Sequence, residues 1–134
     1  MKKMTKVVFV LAMILASLGL TGCDKYTSSW SASLYVHSNT SSNAYMDFWT
    51  FKGTVAHTMK CKNESGVLSY SAKLEKGNAV IYVDYDGTKK ELFKINGGEE
   101  VNSSLNTLKQ GPVYVIVETD GVCENGKFYF DIKD

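Results

Sequence analysis

From residue 44 onward the chain is punctuated by Gly53, Gly66, Gly77, Gly87, Gly97, Gly98, Gly111, Gly121 and Gly126, with most gaps 10 to 13 residues long. That interval suits strands joined by turns and is short for a helix plus its connections. Several of these glycines follow Asp or Asn, in "YDGT" (85–88), "INGG" (95–98), "TDGV" (119–122) and "ENGK" (124–127). Asx-Gly pairs accept the left-handed backbone that tight hairpins need, so each is expected to be a turn.

Between the glycines the side chains alternate. In "KFYFDIK" Phe128, Phe130 and Ile132 face one way, and Lys127, Tyr129, Asp131 and Lys133 the other. In "VLSYSAKL" the inward set is Leu68, Tyr70, Ala72 and Leu74. The stretches "AVIYVDY" and "PVYVIVET" are apolar on both faces, which predicts central strands whose second face is also covered. Only "VNSSLNTLKQ" offers even one helical turn. About eight strands over residues 44–134, with Pro112 the only proline, predict an all-β domain. The expected form is an antiparallel, jelly-roll-like β-sandwich, with a closed barrel as the alternative.

The order of "FKGTV" (51–55), "GNAVIYVDYDG" (77–87), "LKQGPVYVIVETDG" (108–121) and "GKFYFDI" (126–132) resembles bacterial prepeptidase C-terminal-type β-sandwich domains. The mature part is also similar to small lipoproteins of Gram-positive bacteria. These resemblances imply the fold and a binding or accessory role.

The chain begins with Lys2, Lys3 and Lys6, followed by fourteen apolar or small residues from Val7 to Leu20. This is the pattern of an export signal, and it is shorter than the roughly 20 residues of a membrane-spanning helix. It ends in Leu20-Thr21-Gly22-Cys23, which resembles the lipobox of bacterial lipoproteins. The resemblance implies removal of residues 1–22, a diacylglyceryl group on Cys23, and a protein held on the extracytoplasmic face of the cell membrane. The plainer alternative is an ordinary thiol beside a secretory cleavage site. Residues 23–43, "CDKYTSSWSASLYVHSNTSSN", are rich in Ser, Thr and Asn and read as a tether of about 20 residues, reaching roughly 25 Å. Trp30, Leu34, Tyr35 and Val36 leave room for a short first strand within it.

Without Lys2, Lys3 and Lys6, 12 lysines face 14 acidic residues, a net charge of −2 that argues against a nucleic-acid partner. Arginine is absent. Any anion must therefore be held by lysine point charges or backbone amides. Beyond Cys23 the cysteines are Cys61 and Cys123, an even pair that an exported protein can bridge or leave as thiols. A bridge would close a loop of about 60 residues and contribute about 4 kcal/mol.

Catalytic machinery is not visible. G-x-S-x-G, P-loop, dinucleotide and H-E-x-x-H patterns are all missing, so no cofactor is implied. His37 falls in the tether, and His57 stands four residues before Cys61, about 13 Å along a strand and too far to share a metal. His57 is expected at a strand surface or as a hydrogen-bonded core residue. Carboxylates gather at turns: Asp84 with Asp86, Glu99 with Glu100, and Glu118 with Asp120. Turn formation explains them most simply. Asp84, Asp86 and Asp120 are the best, weak, candidates for calcium, and a hydrolase would need these acids to converge in one cleft. In "YMDFWTF" Tyr45, Trp49 and Phe51 share one face by alternation, with Met46 and Phe48 on the other. If the first face is exposed, Tyr45 and Trp49 form a platform for a sugar ring or a protein partner. The reading that unites these features is a lipid-anchored, non-catalytic binding or accessory module. A small envelope inhibitor or immunity protein is the alternative, ahead of a carboxylate hydrolase.

Overall fold

The computed structural model describes residues 25–134; the signal segment and Cys23 lie outside the described residues. Nine strands follow in order: β1 (Ser29–Ser33), β2 (Val36–Asn39), β3 (Asn43–Cys61), β4 (Gly66–Lys76), β5 (Asn78–Asp84), β6 (Lys90–Asn96), β7 (Glu99–Leu108), β8 (Gly111–Thr119) and β9 (Cys123–Lys133). They form one antiparallel sheet in the order β6-β5-β8-β3-β9-β4-β7, with β1 and β2 on the free edge of β3. The all-β antiparallel fold is therefore as expected.

The register reveals a simpler plan. Strand β3 has 19 residues. Straight, it would run about 60 Å, well beyond the width of a domain of about 100 residues. It bends instead. Its first half, Asn43 to Phe51, pairs with β9, and its second half, Thr54 to Cys61, pairs with β8. Strands β8 and β9 are thus two halves of one bent strand, and the same holds for β4 with β5 and for β6 with β7. The sheet is folded once, like a book. The first leaf contains β2, the first half of β3, β9, β4 and β7; the second contains the rest of β3, β8, β5 and β6. Strand β1 pairs at the fold line, from Thr50 to Thr54.

Glycine makes the fold line possible. Gly53, Gly77, Gly98 and Gly121 all have positive φ where their strands turn the corner. At Gly53 (φ 127°) a Cβ would stand 2.2 Å from the Ser29 carbonyl oxygen, so no side chain fits where β1 crosses. Hydrogen bonds carry the ladder around the corner, from Gly97 N to Gly77 O and from Asp120 N to Asn78 O. "INGG" and "TDGV" are therefore corners within strands, and "ENGK" lies inside β9. Only "YDGT", between β5 and β6, is the expected hairpin.

Folding the sheet also exchanges its faces. Inward residues in the first leaf are even-numbered (Met46 and Phe48; Leu68 and Leu74; Phe128 and Phe130), whereas in the second they are odd (Val55 and Met59; Ile81 and Val83; Val113 and Val117). The extra residue taken up at each corner shifts the alternation by one, as a bulge does. Phe51 falls past that shift and is fully buried, so it does not share the outward face of Tyr45 and Trp49. Each large apolar side chain buried between the leaves contributes about 1.5–3 kcal/mol.

Of the segment expected as a tether, 23–43, the described residues 25–43 are built into the domain. Besides β1 and β2, Ser28 Oγ accepts from Ala56 N at 2.9 Å, and the Asn39 side chain bonds both backbone groups of Thr58. Trp30, Tyr35 and Phe51 pack edge-on and stacked, with centroids 4.8 to 5.9 Å apart, and plug the open edge of the folded sheet.

Candidate functional site

The two leaves differ on their outer faces. On the second leaf the outward row includes Tyr114 opposite Asp84, and Ile116 opposite Tyr82. Asp84 and Ile116 are each only 1% exposed. The N-terminal residues bury Asp84. Lys25 Nζ reaches its Oδ2 at 2.9 Å, the Tyr26 hydroxyl donates to the same oxygen at 2.7 Å, and Gly87 N–H donates to Oδ1 at 2.8 Å. Tyr26 packs edge-on against Tyr114 at 5.4 Å, and the Lys89 ammonium sits 4.4 Å from the Tyr82 ring centre. Burial alone would raise the pKa of Asp84; the bonds from Lys25, Tyr26 and Gly87 outweigh it and hold the acid at about 2. Burial and the bond to Asp84 push Tyr26 up to about 12. This latch covers the Asp84–Tyr114 end of the covered second face that "AVIYVDY" and "PVYVIVET" predict.

Among the described residues, the outer face of the first leaf has no such cover. Cross-strand register aligns Tyr45, Tyr129, Ser71 and Asn102 across β3, β9, β4 and β7. Tyr129 is 44% exposed and Tyr45 half-buried. The next row along the strands is Asp47, Lys127, Lys73 and Glu100. Apart from Asp47, both rows line a groove of about 550 Å³, and a second hollow of about 460 Å³ continues past Lys73, Lys127 and Asn125. The Tyr45 hydroxyl donates to Asp47 Oδ2 at 3.1 Å, and that bond raises its pKa. The arrangement offers two adjacent aromatic faces, the hydrogen-bonding side chains of Ser71 and Asn102, and charges of both signs. Nothing in it combines a nucleophile with a base.

The other candidate residues are dispersed. Trp49 is half-exposed on the outward side, as one reading of "YMDFWTF" required, but it does not line the groove; Tyr45 has Tyr129 for its neighbour instead. Asp84 is taken by Lys25, Asp86 by Lys90 at 2.9 Å and Glu118 by Lys89 at 2.8 Å, while Asp120 stands at the fold line. The calcium trio Asp84, Asp86 and Asp120 is therefore not assembled, and among the described residues no cluster of three His, Cys, Asp or Glu is placed for a metal. Glu118 and Asp120 border one shallow depression beside Lys94, which neither Asp84 nor Asp86 joins, so the acids do not converge as a hydrolase would need.

Cys61 and Cys123 are both buried and unbridged. Cys61 pairs with Gly111 at the far end of β3, whereas Cys123 pairs with Phe51 at the fold line, about 30 Å away along the strand. Their thiols bond to the carbonyls of Asn63 and Asn78 instead. His57 is in the core, 2% exposed and 6.3 Å from the Phe130 ring centre, with no partner for Nε2 among the described residues. Burial, and to a lesser degree His37, lower its pKa to about 4.

No protein-family model matches the chain, and no curated protein is similar to it. Among solved structures it is similar to the carbohydrate-binding module TmCBM61 in complex with β-1,4-galactotriose, at 19% identity and TM-score 0.49, over 86% of this chain and 92% of that one. It is also similar to PliG of Aeromonas hydrophila, a periplasmic inhibitor of g-type lysozyme, at 10% identity and TM-score 0.47, over 69% and 88% of the two chains. The pre-peptidase C-terminal domain of a Bacillus anthracis collagenase gives 13% identity and TM-score 0.46, over 72% and 91%. At these values the likeness extends to neither residues nor ligands.

Proposed function

We propose that this protein is a non-catalytic binding module, held on the extracytoplasmic face of the membrane by a lipid on Cys23, and that the outer face of its first leaf binds a saccharide. The observation that carries the reading is the asymmetry of the leaves. The second leaf is covered by residues 25–28, while the first keeps Tyr45 and Tyr129 side by side in an open groove. Paired tyrosines give flat apolar faces for the C–H side of a sugar ring, and Ser71 and Asn102 supply short hydrogen-bonding groups for its hydroxyls. Only Asp24 separates Cys23 from the latched Lys25. A lipid on Cys23 would therefore hold the second leaf toward the membrane and leave the groove facing outward.

The test is a screen of the purified protein against immobilised cell-wall and plant oligosaccharides, repeated with Tyr45→Ala and Tyr129→Ala. We expect binding without turnover, weakened at least about tenfold by either substitution. A metal-independent turnover, or binding indifferent to both tyrosines, would overturn the reading of this face. The mass of the N-terminal peptide from native membranes tests the anchor separately: a diacylglyceryl group on Cys23 is expected, and an unmodified N-terminus removes it.

A further inference from the structure

The groove carries a charge pattern that a neutral sugar does not use. Lys73 on β4 and Lys127 on β9 stand directly opposite each other on the outward face, at the centre of the first leaf. Like charges in that relation are unfavourable in a sheet. Lys25 pairs with Asp84, Lys89 with Glu118, Lys90 with Asp86 and Lys133 with Asp131, while Lys52, Lys60, Lys62, Lys76, Lys94 and Lys109 have no ion pair among the described residues. What sets Lys73 and Lys127 apart is that they face each other within the groove. Among the described residues, neither Lys73 nor Lys127 has a carboxylate within ion-pair distance, although Asp47 and Glu100 end the same row. The Asp47 carboxylate accepts from Tyr45 instead.

From this geometry we infer that the ligand is an acidic saccharide, with a sugar ring on Tyr45 and Tyr129 and an anionic substituent between Lys73 and Lys127. The inference rests on the reading of this groove as a saccharide site and adds the ligand's charge. Excluding Lys2, Lys3 and Lys6, the chain carries a net charge of −2, so the lysine pair is a local exception rather than part of a basic surface. Without arginine the groove has no planar fork, and two flexible ammonium groups can converge on one carboxylate as point charges. Asp47 and Glu100, at the ends of the row, repel further negative charge and confine the anion to its centre. The site thus favours one acidic sugar beside neutral ones over a dense polyanion.

The deciding experiment measures the affinity of the full chain for an aldobiuronic acid, one uronate linked to one neutral sugar, and for its methyl ester, which removes the charge and adds one methyl group. The acid is expected to bind about tenfold more tightly than the ester at low salt, with the difference shrinking at high salt. Lys73→Met and Lys127→Met keep the apolar stem and remove the charge; each should bring acid and ester to within about threefold of each other. Tyr129→Ala should weaken both probes alike. Urea midpoints in the methionine variants no lower than in the wild type establish that they fold. Equal affinity for acid and ester, with both sensitive to Tyr129→Ala, overturns the acidic ligand and leaves the saccharide groove standing. A preference for the acid that survives both methionine substitutions also overturns the assignment to these lysines. Failure of the acid to bind, at concentrations where other saccharides bind through Tyr129, rejects the acidic class. Failure of every saccharide rejects the groove itself.

Discussion

The two leaves of this sheet are made by the same bent strands and share one core, yet their outer faces have opposite fates. On the second leaf Ile116 and Asp84 are 1% exposed, Asp84 held by Lys25 and Tyr26; on the first, Tyr129 is 44% exposed above a groove. A bent strand gives each leaf one inner face without cost to the other, so the choice of which outer face to cover is independent of the fold. Here that choice falls to four residues, Lys25 to Ser28, which bind the second leaf and leave the first open.

The largest expected effect tests what the leaves share. His57 faces inward from the second leaf toward Phe130 of the first, and is neutral there because burial lowers its pKa from 6.5 to about 4. The unfolded chain takes up this proton at higher pH than the fold does. The stability that His57 permits is thus fully present above about pH 6.5 and declines as the pH falls toward 4, by about 3 kcal/mol in all. Urea midpoints measured between pH 7 and 4 should show that slope, and His57→Leu should flatten it, since Nε2 has no partner to lose. A slope unchanged in His57→Leu would assign it to other groups.

The next effect separates the leaves. Replacing Asp84 by alanine leaves the Tyr26 hydroxyl and Gly87 N–H without their acceptor and Lys25 without its partner. Because Lys25 is 44% exposed, its charge is partly solvated, and the cost should be about 2 kcal/mol rather than the 3–5 of a fully buried pair. The wild-type contribution is present above the ordinary carboxylate pKa near 3.8 and is lost as the pH falls toward about 2. The counterpart on the open leaf, Tyr129→Ala, should cost less than about 1 kcal/mol. Trypsin reads the same contrast, because cleavage after Lys25 should be slow in wild type and fast in Asp84→Ala. Equal urea midpoints for the two alanine variants would mean that the N-terminal cover is not holding the second leaf.

Much of this plan could be read from local sequence, and the misses share a cause. Alternation in "KFYFDIK" and "VLSYSAKL" identified the inward residues of β9 and β4, and the doubly apolar "AVIYVDY" and "PVYVIVET" required a cover on their second face. What that cover was could not be seen, because Lys25 and Tyr26 meet Asp84 across 58 or more residues of chain. The glycines were correctly located and partly misread: Asn-Gly or Asp-Gly favours positive φ, which serves a corner as well as a hairpin. Only pairing distinguishes the two, and pairing is not a local property. The groove was half visible for the same reason. Tyr45 is evident on an alternating strand, but Tyr129 becomes its neighbour only through the register of β3 with β9.

The smallest predicted effect bears on that half-visible site. Tyr45 and Trp49 lie on the same outward side of β3, about 13 Å apart along the strand, and local sequence favours them as a pair. Trp49 is the more exposed and the larger, so a platform judged by exposure alone would be centred on it. The leaf is bending by that point: Thr50 and Phe51 already pair with Glu124 and Cys123 at the approach to the fold line, whereas the groove runs across the flat part of the leaf. Trp49→Ala should therefore change saccharide affinity less than about twofold, against about tenfold for Tyr129→Ala, and stability by less than about 1 kcal/mol. If isothermal titration instead gives Trp49→Ala the larger loss, the binding surface extends to the corner, and the open leaf is not a site bounded by its own flat face.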